Sequence, residues 1–219
     1  SLNIYTAILL VITLFTATSR TAMMAFFIAI FVFFTIKYLH KYTFLIVSSL
    51  ILLSPAATGI YLYLKHTSFG TALNNLTIEV TGKSFFSGRD TIWSEALDQV
   101  LQNGKFWTGL GSNTEFQEYG GYLHNLYVQV FYQSGFIGLL LVGILLGSIA
   151  FAIGRTRTID FEFRVLVGYF IAILFLQVFE GHLIYKFQII SLVSWIIIAF
   201  LIRKASHTLP VDTVSPAGN

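Results

Sequence analysis

The sequence predicts an all-α integral membrane protein of about six transmembrane helices with one long, partly helical loop. Three observations carry this. Over half of the residues are apolar (56%) and only 11% are charged, too few to coat a soluble domain of this length. Six apolar runs, 2–18, 22–36, 43–64, 125–153, 165–179 and 183–202, approach or reach the ~20 residues that cross a hydrocarbon core. A soluble core holds one such helix, not six in a row. The basic residues also fall in register: Lys37 with Lys41, Arg155 with Arg157 and Arg164, and Arg203 with Lys204 all land on one side of a six-span chain. The positive-inside rule makes that side cytoplasmic.

Taken in order, span 2–18 has neither a basic leader nor a cleavage site and does not read as a signal peptide. The chain starts at Ser1 directly in apolar sequence, which predicts that it is a piece of a longer protein. Only Ser19-Arg20-Thr21 separates the first two spans. This turn lies on the outer side, where the positive-inside rule gives no reason for an arginine. A cation beside hydrocarbon is costly unless an anion meets it, so Arg20 is the first candidate for a functional residue. Spans 22–36 and 165–179 are short and are expected to extend into their flanks or to end in a protein-lined cavity. Pro55 predicts a kink in span 43–64. Gly135, Gly138, Gly143 and Gly147 predict close helix packing for span 125–153.

Four regions follow: three spans in 1–64, an outer loop in 65–124, three spans in 125–204, and a polar, proline-bearing tail in 205–219 that reads as disordered. The loop carries Lys65, Lys83, Arg89 and Lys105, but long loops cross membranes largely regardless of charge. With no cysteine there is no thiol chemistry. The net charge of +3 is membrane bookkeeping rather than a nucleic-acid footprint, and no nucleic-acid partner is expected.

Site chemistry should concentrate in the loop. Residues 92, 93, 96, 97, 100 and 101 form one apolar helical stripe, with Asp98, Gln99 and Gln102 off it and Gly104 as a stop. Ser87 and Asp90 match a capping box with Asp for Glu. Arg89 then sits in the first turn, beside free N–H groups and the positive end of the helix dipole, where its guanidinium can fork onto a phosphate. The plain alternative is an ion pair with Asp90 or Glu95 on a solvated face. Two glycines in Phe106-Trp107-Thr108-Gly109-Leu110-Gly111-Ser112 permit a sharp turn or a close approach. Gly120-Gly121-Tyr122-Leu123-His124-Asn125 then leads into the fourth span and puts His124 at its outer mouth. Histidine exchanges protons near neutral pH, so this one is placed to take a proton or simply to anchor the helix end.

Arg20, Arg89 and His124 thus reach one face from three separate segments. Two guanidiniums can hold a diphosphate, and an imidazole nearby can serve as general base for a hydroxyl. On an outer leaflet the natural diphosphate is a lipid-linked sugar.

At these residues the chain resembles the C-terminal half of the O-antigen ligase/polymerase (WaaL- and Wzy-like) superfamily, over roughly residues 10–150. The resemblance rests on Ser19-Arg20-Thr21 before an apolar helix, on Ser87-Gly88-Arg89-Asp90 with Trp93, on Gly109-Leu110-Gly111, and on His124-Asn125-Leu126-Tyr127 leading to Gly135-Phe136-Ile137-Gly138. It implies a GT-C-like fold in the bacterial inner membrane with a periplasmic loop and a periplasmic active face. It implies transfer of a glycan from undecaprenyl diphosphate to lipid A core or to a growing glycan, with inversion, without metal or other cofactor. It also implies that Arg20 and Arg89 engage the diphosphate and that His124 is the base, with Ser19, Asp90, Trp93, Tyr122 and Asn125 in support. Family members carry about twice as many spans as this chain. A polymerase and a protein O-oligosaccharyltransferase fit the same motifs.

A transporter subunit would instead use Gln177, Glu180, His182 and Lys186. Discontinuous helices and paired repeats would favour it, and the sequence displays neither. A metal site from His66, His124, His182 and Glu118 lacks ligand spacing. Glu115, Glu118 and Glu180 are alternatives to His124 as base.

Overall fold

The computed structural model describes residues 19–112, 114, 116, 122–156, 159–181, 183–184 and 189–207, and every regular element among them is a helix. The expected span 2–18 lies outside these residues, as do Glu115, Glu118, His182 and Lys186.

Helix α1 (Arg20–Leu39) passes through a 3-10 turn (His40–Tyr42) into α2 (Thr43–Leu64). Two loop helices follow, α3 (Ser68–Thr81) and α4 (Arg89–Gln102), and then α5 (Leu126–Gly154), α6 (Phe161–Leu176) and α7 (Ile189–His207). Three stretches, Arg20–Leu64, Leu126–Gly154 and Ile189–Ser206, are long and apolar enough to cross a membrane, and the first of them holds two helices. At ~1.5 Å per residue α6 spans only about 24 Å, short of a ~30 Å hydrocarbon core. Its Val167, Phe170 and Leu174 are buried inside the bundle, so protein covers much of what lipid would otherwise have to.

One core cluster joins Val47 and Ile51 of α2, Leu146 and Ile153 of α5, Phe170 of α6 and Leu201 of α7. Helix α1 rests on α6 through Gly168, where a Cβ would come within 2.8 Å of the Ala29 carbonyl oxygen. A second cluster seats the loop on the bundle: Trp93, Ala96 and Val100 of α4 pack with Tyr61 of α2 and with Val128 and Tyr132 of α5. The helices alternate in direction. Arg20, Tyr61, Leu126 and Gln177 lie at one end, joined by hydrogen bonds to the segments around Ser87 and Glu180. Gly154 against Phe44, Phe33 against Phe161 and Lys204 against Asp160 mark the other end. The basic clusters of α1, α6 and α7 gather there, away from Arg20.

Several expectations change. The loop contains a helix, α3, that the sequence reading omits; Thr67 caps it by accepting from the Gly70 N–H at 3.0 Å, and left-handed Gly82 ends it. The span expected at 165–179 starts earlier, because the Asp160 carboxylate accepts from the Phe163 N–H at 2.9 Å and caps a helix whose first turn carries Glu162 and Arg164. The last span runs to His207, so the first residues of the expected tail are helical.

The glycines of α5 differ most from expectation. Gly143 and Gly147 face open space, with nothing in reach of a Cβ among the described residues. Gly135 breaks the helix (φ 62°, ψ −159°). The loop Phe106–Gly111 fills the break: Leu110 and Gly111 N–H groups donate to the Tyr132 and Gln133 carbonyls at 2.8 and 3.0 Å, and the Phe136 and Ile137 N–H groups donate to the Phe106 and Trp107 carbonyls at 2.9 and 3.2 Å. These bonds satisfy backbone groups that a broken helix exposes. A Cβ on Gly135 would lie 2.4 Å from the Trp107 carbonyl carbon, and one on Gly109 would lie 2.4 Å from that of Gln133. The two glycine motifs of the sequence are therefore halves of one joint.

Candidate functional site

Arg89 is the first residue of α4, as the sequence predicts, but no capping box holds it. Ser87 (φ 56°) and Gly88 (φ 76°) are both left-handed, and Gly88 is the cap residue with no side-chain bond. The Ser87 hydroxyl donates to the Ser84 carbonyl at 3.0 Å and accepts from the Arg20 Nη2 at 3.4 Å. Asp90 is buried and pairs with Lys65 at the end of α2. The Tyr61 hydroxyl donates to the Phe86 carbonyl at 2.5 Å, fixing the turn to α2. Arg20 is likewise the first residue of its helix, with Ser19 as cap accepting from Ala22 N–H at 3.3 Å. Two guanidiniums thus stand at two helix N-termini, where dipoles favour anions.

Buried side chains set His124. The Trp93 indole N–H donates to the Leu123 carbonyl at 2.6 Å, so α4 positions the residue before His124. Asn125 caps α5 by accepting from the Tyr127 and Val128 N–H groups at 2.8 and 3.0 Å. Its amide donates to Thr58 Oγ1 at 3.0 Å and to the Val178 carbonyl at 2.7 Å, tying α2, α5 and the end of α6 together. Gln177 accepts the Leu126 N–H on its carbonyl at 2.9 Å and the Leu183 N–H on its side chain at 3.0 Å. His124 itself takes a left-handed backbone (φ 50°), uncommon for a side chain with a Cβ.

These elements bring Arg89 and His124 to opposite oxygens of one carboxylate. Arg89 Nη2 lies 2.9 Å from Glu180 Oε1, and His124 Nδ1 lies 3.4 Å from Glu180 Oε2. The three side chains are 23, 43 and 25% exposed for Arg89, His124 and Glu180, partly sheltered yet open to a ligand. The Tyr122 ring meets the imidazole edge-on at 4.4 Å, and its hydroxyl bonds the Gly181 backbone. Burial, and then the Glu180 charge, push the Tyr122 phenol well above the usual tyrosine range, so it stays protonated. Arg89 also lies over the Phe179 ring at 5.8 Å. Below that ring an apolar cavity of about 400 Å³ opens between α1, α2 and α6, lined by Ile28, Ala57, Tyr61, Leu174, Phe175 and Phe179.

The family model for O-antigen ligase matches residues 5–143. The chain belongs to the O-antigen ligase family. It is a membrane enzyme of O-antigen ligase or polymerase type, working with lipid-linked glycans. No curated protein and no solved structure matches the chain.

In this family member Arg20, Arg89 and His124 all lie within the matched stretch, and the fold gathers them at one end. Trp93, Tyr122 and Asn125 surround them, and Ser19 caps the Arg20 helix, whereas Asp90 is turned away to Lys65. Arg89 pairs with Glu180, and Asp90 pairs with Lys65. Of the residues a transporter would use, Gln177 is a buried clasp and Glu180 joins the arginine and histidine. The broken α5 is a discontinuous helix within an unbroken apolar run. Its break is closed by the backbone bonds of the Phe106–Gly111 loop. Among the described residues no three His, Asp or Glu side chains gather as a metal site. Glu180 as a shared partner went unseen because it is 91 residues from Arg89 in the chain; its only signal is an acidic residue in a short outer turn.

Proposed function

We propose that this enzyme transfers a glycan from undecaprenyl diphosphate to an acceptor hydroxyl, on the periplasmic face of the bacterial inner membrane, with inversion at the anomeric carbon. The observation that carries this reading is the meeting of Arg89, at a helix N-terminus, with His124 across one carboxylate, with Arg20 held two residues from Arg89 through Ser87.

The two guanidiniums bind the diphosphate and meet the charge that grows on it as the bond from the anomeric carbon to phosphate oxygen breaks. The acceptor oxygen forms its bond to that carbon from the opposite side. His124 takes the acceptor's proton, and undecaprenyl diphosphate leaves with the bonding electron pair. The apolar cavity under Phe179 offers the first isoprene units a place directly below the guanidinium.

The reading is tested by replacing Arg20, Arg89 or His124 with Ala in a complementation strain and resolving surface glycan on a gel. Loss of every repeat from lipid A core assigns a ligase. Loss of long chains with one repeat retained assigns a polymerase. Full glycan assembly by a stably expressed H124A protein removes the base from the mechanism.

A further inference from the structure

We infer that Glu180 is a positioning residue with two opposed effects: its carboxylate occupies Nη2 of the Arg89 guanidinium and must be displaced there by the donor's diphosphate, while it orients His124 for proton transfer. The inference rests on the proposed function and deepens it.

The geometry is specific. Each carboxylate oxygen serves one partner, Oε1 the Arg89 guanidinium at 2.9 Å and Oε2 the His124 Nδ1 at 3.4 Å. The Glu180 backbone cannot readily follow a moving side chain. Its N–H donates to the Leu176 carbonyl at 2.7 Å, and the next residue, Gly181, is pressed against Leu126, where a Cβ would come within 3.1 Å of the Leu126 nitrogen. Tyr122 holds the same spot from the other side through the Gly181 backbone.

The Glu180 carboxylate and a diphosphate compete for Nη2 of the same guanidinium. The diphosphate has more charge and more acceptor oxygens, so the exchange favours the donor, but donor binding is weakened by the bond that must first be broken. The contact to His124 is not in competition. An acceptor on Nδ1 fixes a proton there and leaves Nε2 as the free lone pair that takes the acceptor's proton. When Arg89 turns to phosphate, Glu180 keeps that second partner.

Removing the carboxylate therefore moves binding and chemistry in opposite directions. The test uses the full chain in lipid nanodiscs, with undecaprenyl diphosphate as binding probe and an undecaprenyl-diphosphate-linked glycan as donor. E180Q is expected to bind undecaprenyl diphosphate about three- to tenfold more tightly and to lower kcat for transfer by about tenfold or more. E180A, which leaves Nδ1 without the side-chain acceptor, is expected to lower kcat further with the same gain in binding, and it replaces E180Q should that variant not fold. A merely structural glutamate would weaken binding and turnover together, or lower the unfolding temperature with little effect on either. Weaker or unchanged binding in both variants overturns the inference. If R89A and H124A keep full transfer, the functional reading fails and takes this role with it. If they lose transfer while E180Q binds no tighter, only the role of Glu180 falls.

Discussion

The two ends of the helix bundle both carry a three-way charge cluster, and they are built inversely. At the basic end one lysine, Lys204, bridges two carboxylates, Asp160 at 2.6 Å and Glu162. Those carboxylates are 51 and 74% exposed. At the other end one carboxylate, Glu180, bridges a guanidinium and an imidazole, with Arg20 close by and Lys65 already taken by Asp90. The first arrangement is a saturated surface pair, which contributes little in water. The second is sheltered and rich in cations, an arrangement that accepts a further anion. Similar residue types give a stitch in one place and, in the proposed reading, an anion receptor in the other, and the difference lies in exposure and in the count of each sign.

Four predictions bear on this contrast, from the largest effect to the smallest. R89A and H124A should lower glycan transfer by about 10²–10⁴-fold, the usual contribution of a charge stabiliser or a general base, whereas K204A should leave it intact. Membranes assayed for transfer to acceptor decide this, and equal losses at both ends would erase the distinction. G135A should destabilise by about 1–3 kcal/mol or more, because φ is +62° and the new Cβ meets the Trp107 backbone. G143A and G147A, facing open space, should stay within about 0.5 kcal/mol, so thermal unfolding of the three variants separates the joint from the lipid-facing turns.

N125A should cost about 1–2 kcal/mol from the lost cap, and more where Thr58 and the Val178 carbonyl lose their donor; unfolding in detergent measures it. The smallest effect belongs to Asp160. The Lys204 hydrogen bond and then the Phe163 N–H hold its carboxyl below the ordinary aspartate range. A depressed folded value means that the stabilisation is present above the unfolded aspartate pKa of about 3.9 and is lost as pH falls through the folded one. D160N should remove that slope and lower the neutral-pH unfolding temperature slightly, by the small stabilisation that an exposed ionised carboxylate supplies. An unaltered acid limb would show that Asp160 does not contribute to it.

Much of this was readable from the chain. Helices α2 and α5 begin and end within a residue of the apolar runs 43–64 and 125–153, because polar residues bound those runs sharply. The apolar stripe placed helix α4, while the capping box that put Arg89 in its first turn does not form: Gly88 is the cap, without a side-chain bond. Helix α3 was missed because its Thr67 and Gly82 caps enclose a mixed sequence, SFGTALNNLTIEVT, with no continuous apolar run. The shift of α6 follows from a cap at Asp160, beyond charged residues that look like the edge of a loop. The break at Gly135 was hidden because glycine in a membrane helix more often marks close packing than a turn. That the turn at Glu180 would reach Arg89 is a property of the whole bundle, set by Asn125 and Gln177 clasping α5 to α6, and no local pattern encodes it.

The joint at Gly135 has a mechanical meaning. The stretch Leu126–Ser134, buried from Leu126 to Tyr132, is about 13 Å long at 1.5 Å per residue, with His124 just beyond one end and the loop Phe106–Gly111 woven into the ladder at the other. The four backbone bonds therefore anchor the loop to the same helical segment that His124 leads into, so the loop and the imidazole share one rigid support.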